Sequence, residues 1–147
     1  MLRDGDFSNA ALRHASLSAC DLRRTDFYQA QLDGASLQGS LATDAAFCEC
    51  SLTGLRARNL RAERSQWTAA QAHQADFSGA DLRESVWDYA QARACNFQDS
   101  NHQWARHHAF AAPGADWRGA KRQQVQGTDI DLYEAERWQP PSAAELA

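Results

Sequence analysis

Large apolar residues recur at every fifth position along most of this chain, each two places after a small one. The series runs Leu2, Phe7, Leu12, Leu17, Leu22, Phe27, Leu32 and Leu37, then continues through Phe47, Leu52, Trp67, Phe77, Leu82, Trp87, Phe97 and Trp117. The small partners include Gly5, Ala10, Ala15, Cys20, Thr25, Ala30 and Ala35. A period of five fits neither the 3.6 of an α-helix nor the 2 of a strand, so it marks a repeat architecture. If each unit forms one side of a square coil, four units close a turn and residue n stacks on residue n+20. One column then holds Phe7, Phe27, Phe47, Trp67 and Trp87, and the opposite one Leu17, Leu37, Ala57, Phe77, Phe97 and Trp117. A third reads Leu12, Leu32, Leu52, Ala72, Ala92 and Ala112. Character is kept at a spacing of 20 better than the five-residue rule requires, which favours a four-sided coil over a flat sheet.

The exceptions support the same geometry. Where the central residue shrinks to Ala57, Ala62 or Ala112, the partner two places earlier grows to Leu55, Leu60 or Phe110. Both positions therefore point inward and share one filled volume, as dense interiors require. The other three places of each unit face water, with residues such as Asp21, Asp26, Asp76, Asp81, Arg23, Arg83, Gln38 and Gln98. Glycines 34, 39, 54, 79, 114 and 119 all fall at one of those places, where the chain must turn a corner. Coils stacked at the usual strand spacing of about 4.8 Å make a rod roughly 30 Å long with about six turns.

Units such as A-D-F-S-G (75–79), A-D-L-R-E (80–84), T-D-F-Y-Q (25–29) and A-D-W-R-G (115–119) resemble the pentapeptide-repeat family. Its pattern is a small residue, Asp or Asn, Leu or Phe, then two variable polar residues. The resemblance covers roughly residues 2–122 in one register. It implies an all-β solenoid, a right-handed quadrilateral parallel β-helix, and it leaves function open because fold does not fix function.

Composition narrows the picture. The chain has 147 residues and a net charge of −4, which argues against a generic basic nucleic-acid groove. No apolar run is long enough to span a bilayer, and the first residues lack a signal-peptide profile, so the expected setting is the cytoplasm; the family resemblance also implies a place in a secretion-associated protein. Cys20, Cys50 and Cys95 sit at the small inward place and Cys48 points outward, a distribution that suits free thiols and no metal cluster. No cofactor is expected.

Two segments depart from the repeat. Across 101–112 the expected core centres are His102 and His107, so a bulged side is predicted, with Trp104 and Phe110 as replacements. The repeat fades after Arg122, dividing the chain into a β-helix over 1–127 and a tail over 128–147. Thr128 or Asp129 can cap a short helix through Ile130, Tyr133 and Trp138 that Pro140 and Pro141 stop, and Ser142 with Glu145 can open another turn. The tail is expected to lid the C-terminal coil, or hold a dimer, through Ile130, Leu132, Tyr133 and Trp138. The first coil has no lid, which invites a partner.

His102, His107 and His108 cluster without an acid or a nucleophile spaced to use them, so no enzyme is predicted. Outward apolar residues Tyr28, Val86, Tyr89 and Trp104 mark a candidate interaction surface, with Val86, Tyr89 and Trp104 on adjacent sides of neighbouring coils. The expected role is protein–protein interaction, including a homodimer through an end coil, with no direct nucleic-acid or membrane binding. The alternative comes from the family resemblance: its fluoroquinolone-resistance (Qnr-type) members are acidic rods thought to imitate DNA and protect type II topoisomerases. Here Arg56 and Arg61 interrupt two of the acidic columns.

Overall fold

The computed structural model describes residues 2–146, with backbone alone at 145 and 146. Twenty-residue closure is explicit in the bridges. Every parallel pair joins residue n to n+20, from Asp6 with Asp26 up to Arg106 with Gln126. The result is a four-sided parallel solenoid of about six coils, followed by α1 (Ile130–Arg137) and the short α2 (Ala143–Leu146).

Each unit uses its backbone groups in one fixed way. In the unit centred on Phe7, the Phe7 N–H donates to Asp26 O in the next coil (2.7 Å) and the Asn9 N–H to Tyr28 O (2.8 Å). The Ala10 N–H closes a four-residue turn on Phe7 O (3.0 Å). Asn9 takes φ +62, the positive value that a type II turn needs at its third residue. Among the described residues, nineteen non-glycine corners and six glycines share that left-handed conformation. At Gly79 the need is double, since φ is +67 and a Cβ would collide with the Asn59 side chain one coil away.

The residue after the central one has no backbone partner for its N–H, and where Asp or Asn stands two places earlier its side chain supplies one. Asp26 accepts from the Tyr28 N–H (2.9 Å), Asp76 from Ser78 (2.9 Å) and Asn96 from Gln98 (2.9 Å). This is the physical reason for Asp or Asn just before the central residue: a buried or crowded backbone donor must be paired, and these side chains form local Asx turns.

Both inward columns fill the axis. Phe7, Phe27, Phe47, Trp67 and Trp87 stack in sequence, with centroids 4.2–5.5 Å apart. Phe77, Phe97 and Trp117 stack opposite and meet Trp67 and Trp87 edge-on. Where Trp replaces Phe, the indole N–H needs a partner. Ser65 and Ser85 provide it at 2.6 and 2.9 Å from the small inward place. The exchanged pairs Leu55/Ala57 and Leu60/Ala62 are fully buried. Cys50 and Cys95 are buried free thiols donating to carbonyls of other coils, and burial pushes both up to about 12.

The expected bulge over 101–112 does not form. Bridges continue through Asn101, Arg106 and Ala111, and the repeat reaches Gln126, beyond the expected fade at Arg122. His102 and His107 hold the core centres themselves: His107 continues the aromatic column above Trp87, and His102 tops the column of Leu22 and Leu82 and meets Phe97 and Trp117 edge-on. Phe110 packs inward against Trp87 and Trp117, whereas Trp104 is an exposed corner residue and fills no core place.

Phe47→Ala should cost about 3–5 kcal/mol by removing the middle ring of a buried stack. Gln38→Ala, on the wet face, should cost under about 0.5 kcal/mol. Urea titrations of both variants check the assignment, and equal losses would contradict it.

Candidate interaction surface

Corner side chains stand furthest from the axis, and two corners of adjacent coils carry large aromatics. Tyr89 (φ 61) and Trp104 (φ 63) flank the side that bears half-buried Val86, with Trp104 62% exposed and Tyr89 42%. The structure thus brings Val86, Tyr89 and Trp104 to one side of the rod. Tyr28 lies on the Tyr89 corner but three coils lower, about 14 Å away at the usual spacing. A hydrogen bond to Glu49 pushes the Tyr28 phenol up.

Beside Tyr89, α1 folds back along the corner. Asp129 caps it by accepting from the Leu132 N–H (3.0 Å), as expected of one of the two candidate caps. The contacts that hold it are polar and converge on His108. Nδ1 of His108 accepts from the Asp129 N–H (3.2 Å), and its other nitrogen meets the Glu136 carboxylate at 3.1 Å. Because Nδ1 is the acceptor, neutral His108 carries its proton on Nε2. Glu136 also takes the Tyr89 hydroxyl, which raises that phenol to about 12. A cleft of about 670 Å³ lies between helix and rod, lined by Thr68, Asp88, Tyr89, Arg106, Leu132 and Glu136.

The tail does not lid the last coil with its apolar residues. Ile130, Leu132 and Trp138 are 58, 48 and 67% exposed, and α1 buries no residue. Tyr133 is half-buried, edge-on to His108 at 6.3 Å. The chain is drawn sideways because Thr128 accepts from the Ala109 N–H (3.2 Å) and Asp129 binds His108, which turns it down the corner. What covers the last ring is Arg122, whose guanidinium lies 4.5 Å above Trp117. At the opposite end Leu2, Phe7, Leu12 and Leu17 remain half-buried.

The histidine cluster divides in two. His102 and His107 face each other inside the rod at 3.3 Å, and Nε2 of His102 has no partner. Burial drives His102 well below the ordinary histidine range and His107 down to about 4. His108 belongs to the tail contact. Among the described residues no three His, Cys, Asp or Glu side chains gather as a metal site, and no helix is long and apolar enough to cross a membrane.

The acidic columns are partly neutralised, since Asp6, Asp26 and Asp76 bond only within their own turns. Asp21 is held by Arg23 (2.8 Å) and Arg3 (2.9 Å), Asp81 by Arg83 (2.7 Å) and Asp116 by Arg118 (2.6 Å). One corner alternates in sign along the axis as Asp4, Arg24, Asp44, Arg64 and Glu84, with ion pairs Asp4–Arg24 (2.6 Å) and Asp44–Arg64 (3.0 Å). The mid-side column Ala11, Gln31, Ser51, Gln71, Gln91 and Ala111 has no charge, although Arg13, Asp33 and Arg93 stand two places further along the same side.

A sequence model described as pentapeptide repeats matches residues 2–39 and 70–106, in eight copies. The chain belongs to the pentapeptide-repeat family. Its solenoid is accordingly the right-handed quadrilateral β-helix of that family. Similar solved structures include the pentapeptide repeat protein Rfr23 from the cyanobacterium Cyanothece, at 15% identity and TM-score 0.41 over 71% of this chain. The chain spans 60% of Rfr23. QnrB1, a plasmid-mediated fluoroquinolone resistance protein, is 19% identical at TM-score 0.42 over 86% of this chain and 85% of its own. A pentapeptide repeat protein of the Arabidopsis thaliana thylakoid lumen is 23% identical at TM-score 0.42, over 84% of this chain and 79% of its own. No curated protein sequence matches.

Sequence reasoning on this pentapeptide-repeat chain missed the Tyr89–Glu136–His108 contact. Column alignment does place Tyr89 beside His108 one coil up, but nothing in the sequence directs α1 to that corner.

Histidines buried neutral make stability pH-dependent. Their folded pKa values lie below the unfolded value of about 6.5, so the stability they confer is complete above that pH. It falls as pH drops from about 6.5 towards 4, by up to about 1.4 kcal/mol per pH unit for each histidine. Urea unfolding at pH 7 and pH 5 should show this loss, and His102→Leu with His107→Phe should flatten it. An unchanged slope in that double variant would place the titration elsewhere.

Proposed function

We propose that this pentapeptide-repeat protein is a non-enzymatic interaction scaffold that docks another protein on the side bearing Val86, Tyr89 and Trp104. The observation that supports this reading is backbone conformation. Tyr89 and Trp104 are large aromatic residues at positive φ, where glycine is cheaper, and both are exposed. Tyr89 gives its hydroxyl to Glu136 of α1, whereas Trp104, 62% exposed, contributes no core packing and is best explained by contacts outside the chain. The filled axis offers no concavity for a substrate, so the outer surface is where recognition takes place. The division at residue 127 into rod and tail, and a homodimer through an end coil or the α1 residues Ile130, Leu132, Tyr133 and Trp138, belong to the same proposal.

Imitation of duplex DNA has less support. Mixed signs a few ångströms apart cancel beyond a Debye length of about 8 Å. A gyrase supercoiling assay with micromolar protein is expected to show neither inhibition nor protection.

Trp104→Gly separates function from stability. It relieves a left-handed corner and removes no buried packing, so the melting temperature should stay level or rise. Capture of a discrete partner from host extract should nonetheless fall at least tenfold, and undiminished capture would overturn the docking side. Light scattering on the full chain and on a chain ending at Gly127 tests the dimer, and equal monomeric masses would end it.

A further inference from the structure

Arginines on this rod are, as a rule, paired. Arg3, Arg13, Arg23, Arg24, Arg64, Arg83, Arg106 and Arg118 each hold a carboxylate, while Arg122 and Arg137 lie over aromatic rings. Arg93 breaks the rule alone, whereas Arg56, Arg58 and Arg61 break it together. All three are exposed within six residues of one coil, and among the described residues none of their guanidiniums has a hydrogen bond or an ion pair. Arg56 and Arg61 sit mid-side on two adjacent sides, with Arg58 on the corner between them. The nearest carboxylates in the coil above are already engaged: Asp76 accepts from the Ser78 N–H, and Asp81 binds Arg83 through two hydrogen bonds of 2.7 and 2.8 Å. The coil directly below offers an uncharged ledge of Ser36, Gln38, Gly39 and Leu41, and the first coil offers Ser16, Ser18 and Ala19 with Asp21, whose charge is held by Arg3 and Arg23.

We infer that Arg56, Arg58 and Arg61 form a docking site for a short acidic segment of a partner protein, which lies on this ledge with its carboxylates against the three guanidiniums. The inference rests on the scaffold reading and names the chemistry of the partner. Three unpaired like charges on one coil gain nothing from the chain itself, and carboxylates are the groups that guanidiniums bind in bidentate fashion. A convex corner holds no small anion in a pocket, which points to an extended ligand. Nucleic acid fits less well. Its charge recurs about every 1.7 Å, and a continuous polyanion laid across the corner runs into Asp76, Asp81 and Asp21 on the same sides.

Fluorescence anisotropy with a labelled hexaglutamate peptide and the full chain tests this. Binding should be measurable below 1 mM peptide in 20 mM salt and weaken as salt rises. Replacing all three arginines by Gln should weaken it at least tenfold with an unchanged melting temperature. A charge-matched control, Arg24→Gln with Arg64→Gln and Arg118→Gln, should change it less than twofold. The inference is overturned by absence of binding, by an equal loss in the control, or by a labelled DNA duplex binding as tightly as the peptide and losing affinity in the triple variant. Trp104→Gly should leave peptide affinity intact, so failure here and failure of the Tyr89–Trp104 docking side are read independently.

Discussion

The corner conformation is the constraint on which the rest of the structure depends. At each corner a residue with positive φ directs its N–H to the coil above while its neighbour closes the turn, as Asn9 and Ala10 do. An L-residue held there costs roughly 1–2 kcal/mol. That cost is tolerable only because the next coil offsets it with three ladder bonds per side, as in Phe7 to Asp26, Asn9 to Tyr28 and Asp26 to Gly5. Neither half is stable without the other, so a coil gains its stability from being stacked, as expected of a solenoid. The axis is filled as a consequence: four inward pairs per turn leave room for Phe or Trp on two sides and for Leu or Ala on the others. Chemistry is thereby confined to the outer surface.

This dependence explains what was legible in the sequence. Inward places are fixed by packing volume, and volume is written in residue type, so the columns, the Leu55/Ala57 exchange and the glycine corners could be read directly. Hydropathy failed at His102 and His107 because it scores a histidine as polar. Inside the rod both are neutral rings, 5.1 Å from Phe97 in one case and 4.7 Å from Phe110 in the other. The tail failed for a different reason. Its helix and cap follow local rules, which Asp129 obeys, but its direction is set by a hydrogen bond to His108 from a residue 21 places away. No periodicity encodes that contact.

Outward places obey a weaker logic. Ion pairs here run between residues 18 or 20 apart, or two apart, and each choice depends on which neighbour a flexible arginine meets first. Asp21 shows the competition, since Arg3 and Arg23 both reach it. Counting acidic columns in the sequence therefore overstated the field of the rod. The carboxylates are part of the turns, through Asx bonds to the backbone, before they are part of any electrostatic surface.

The Arg58 corner lies diagonally across the rod from Tyr89, and Arg56 is on the side opposite Val86, so only Arg61 adjoins the aromatic side. Arg61 lies on the side that ends at the Trp104 corner, and between it and Val86 runs the column Arg24, Asp44, Arg64 and Glu84, whose signs alternate. An alternating column is electrically quiet, neither attracting nor repelling a charged partner beyond a few ångströms. A protein that met the aromatic side with an apolar patch and the arginine corner with an acidic segment would cross this column without penalty. On a rigid rod whose backbone is fully committed to its own coils, direction of approach is set by which side chains are left over. Here the leftover groups include the Trp104 indole on a strained corner and the clustered guanidiniums of Arg56, Arg58 and Arg61.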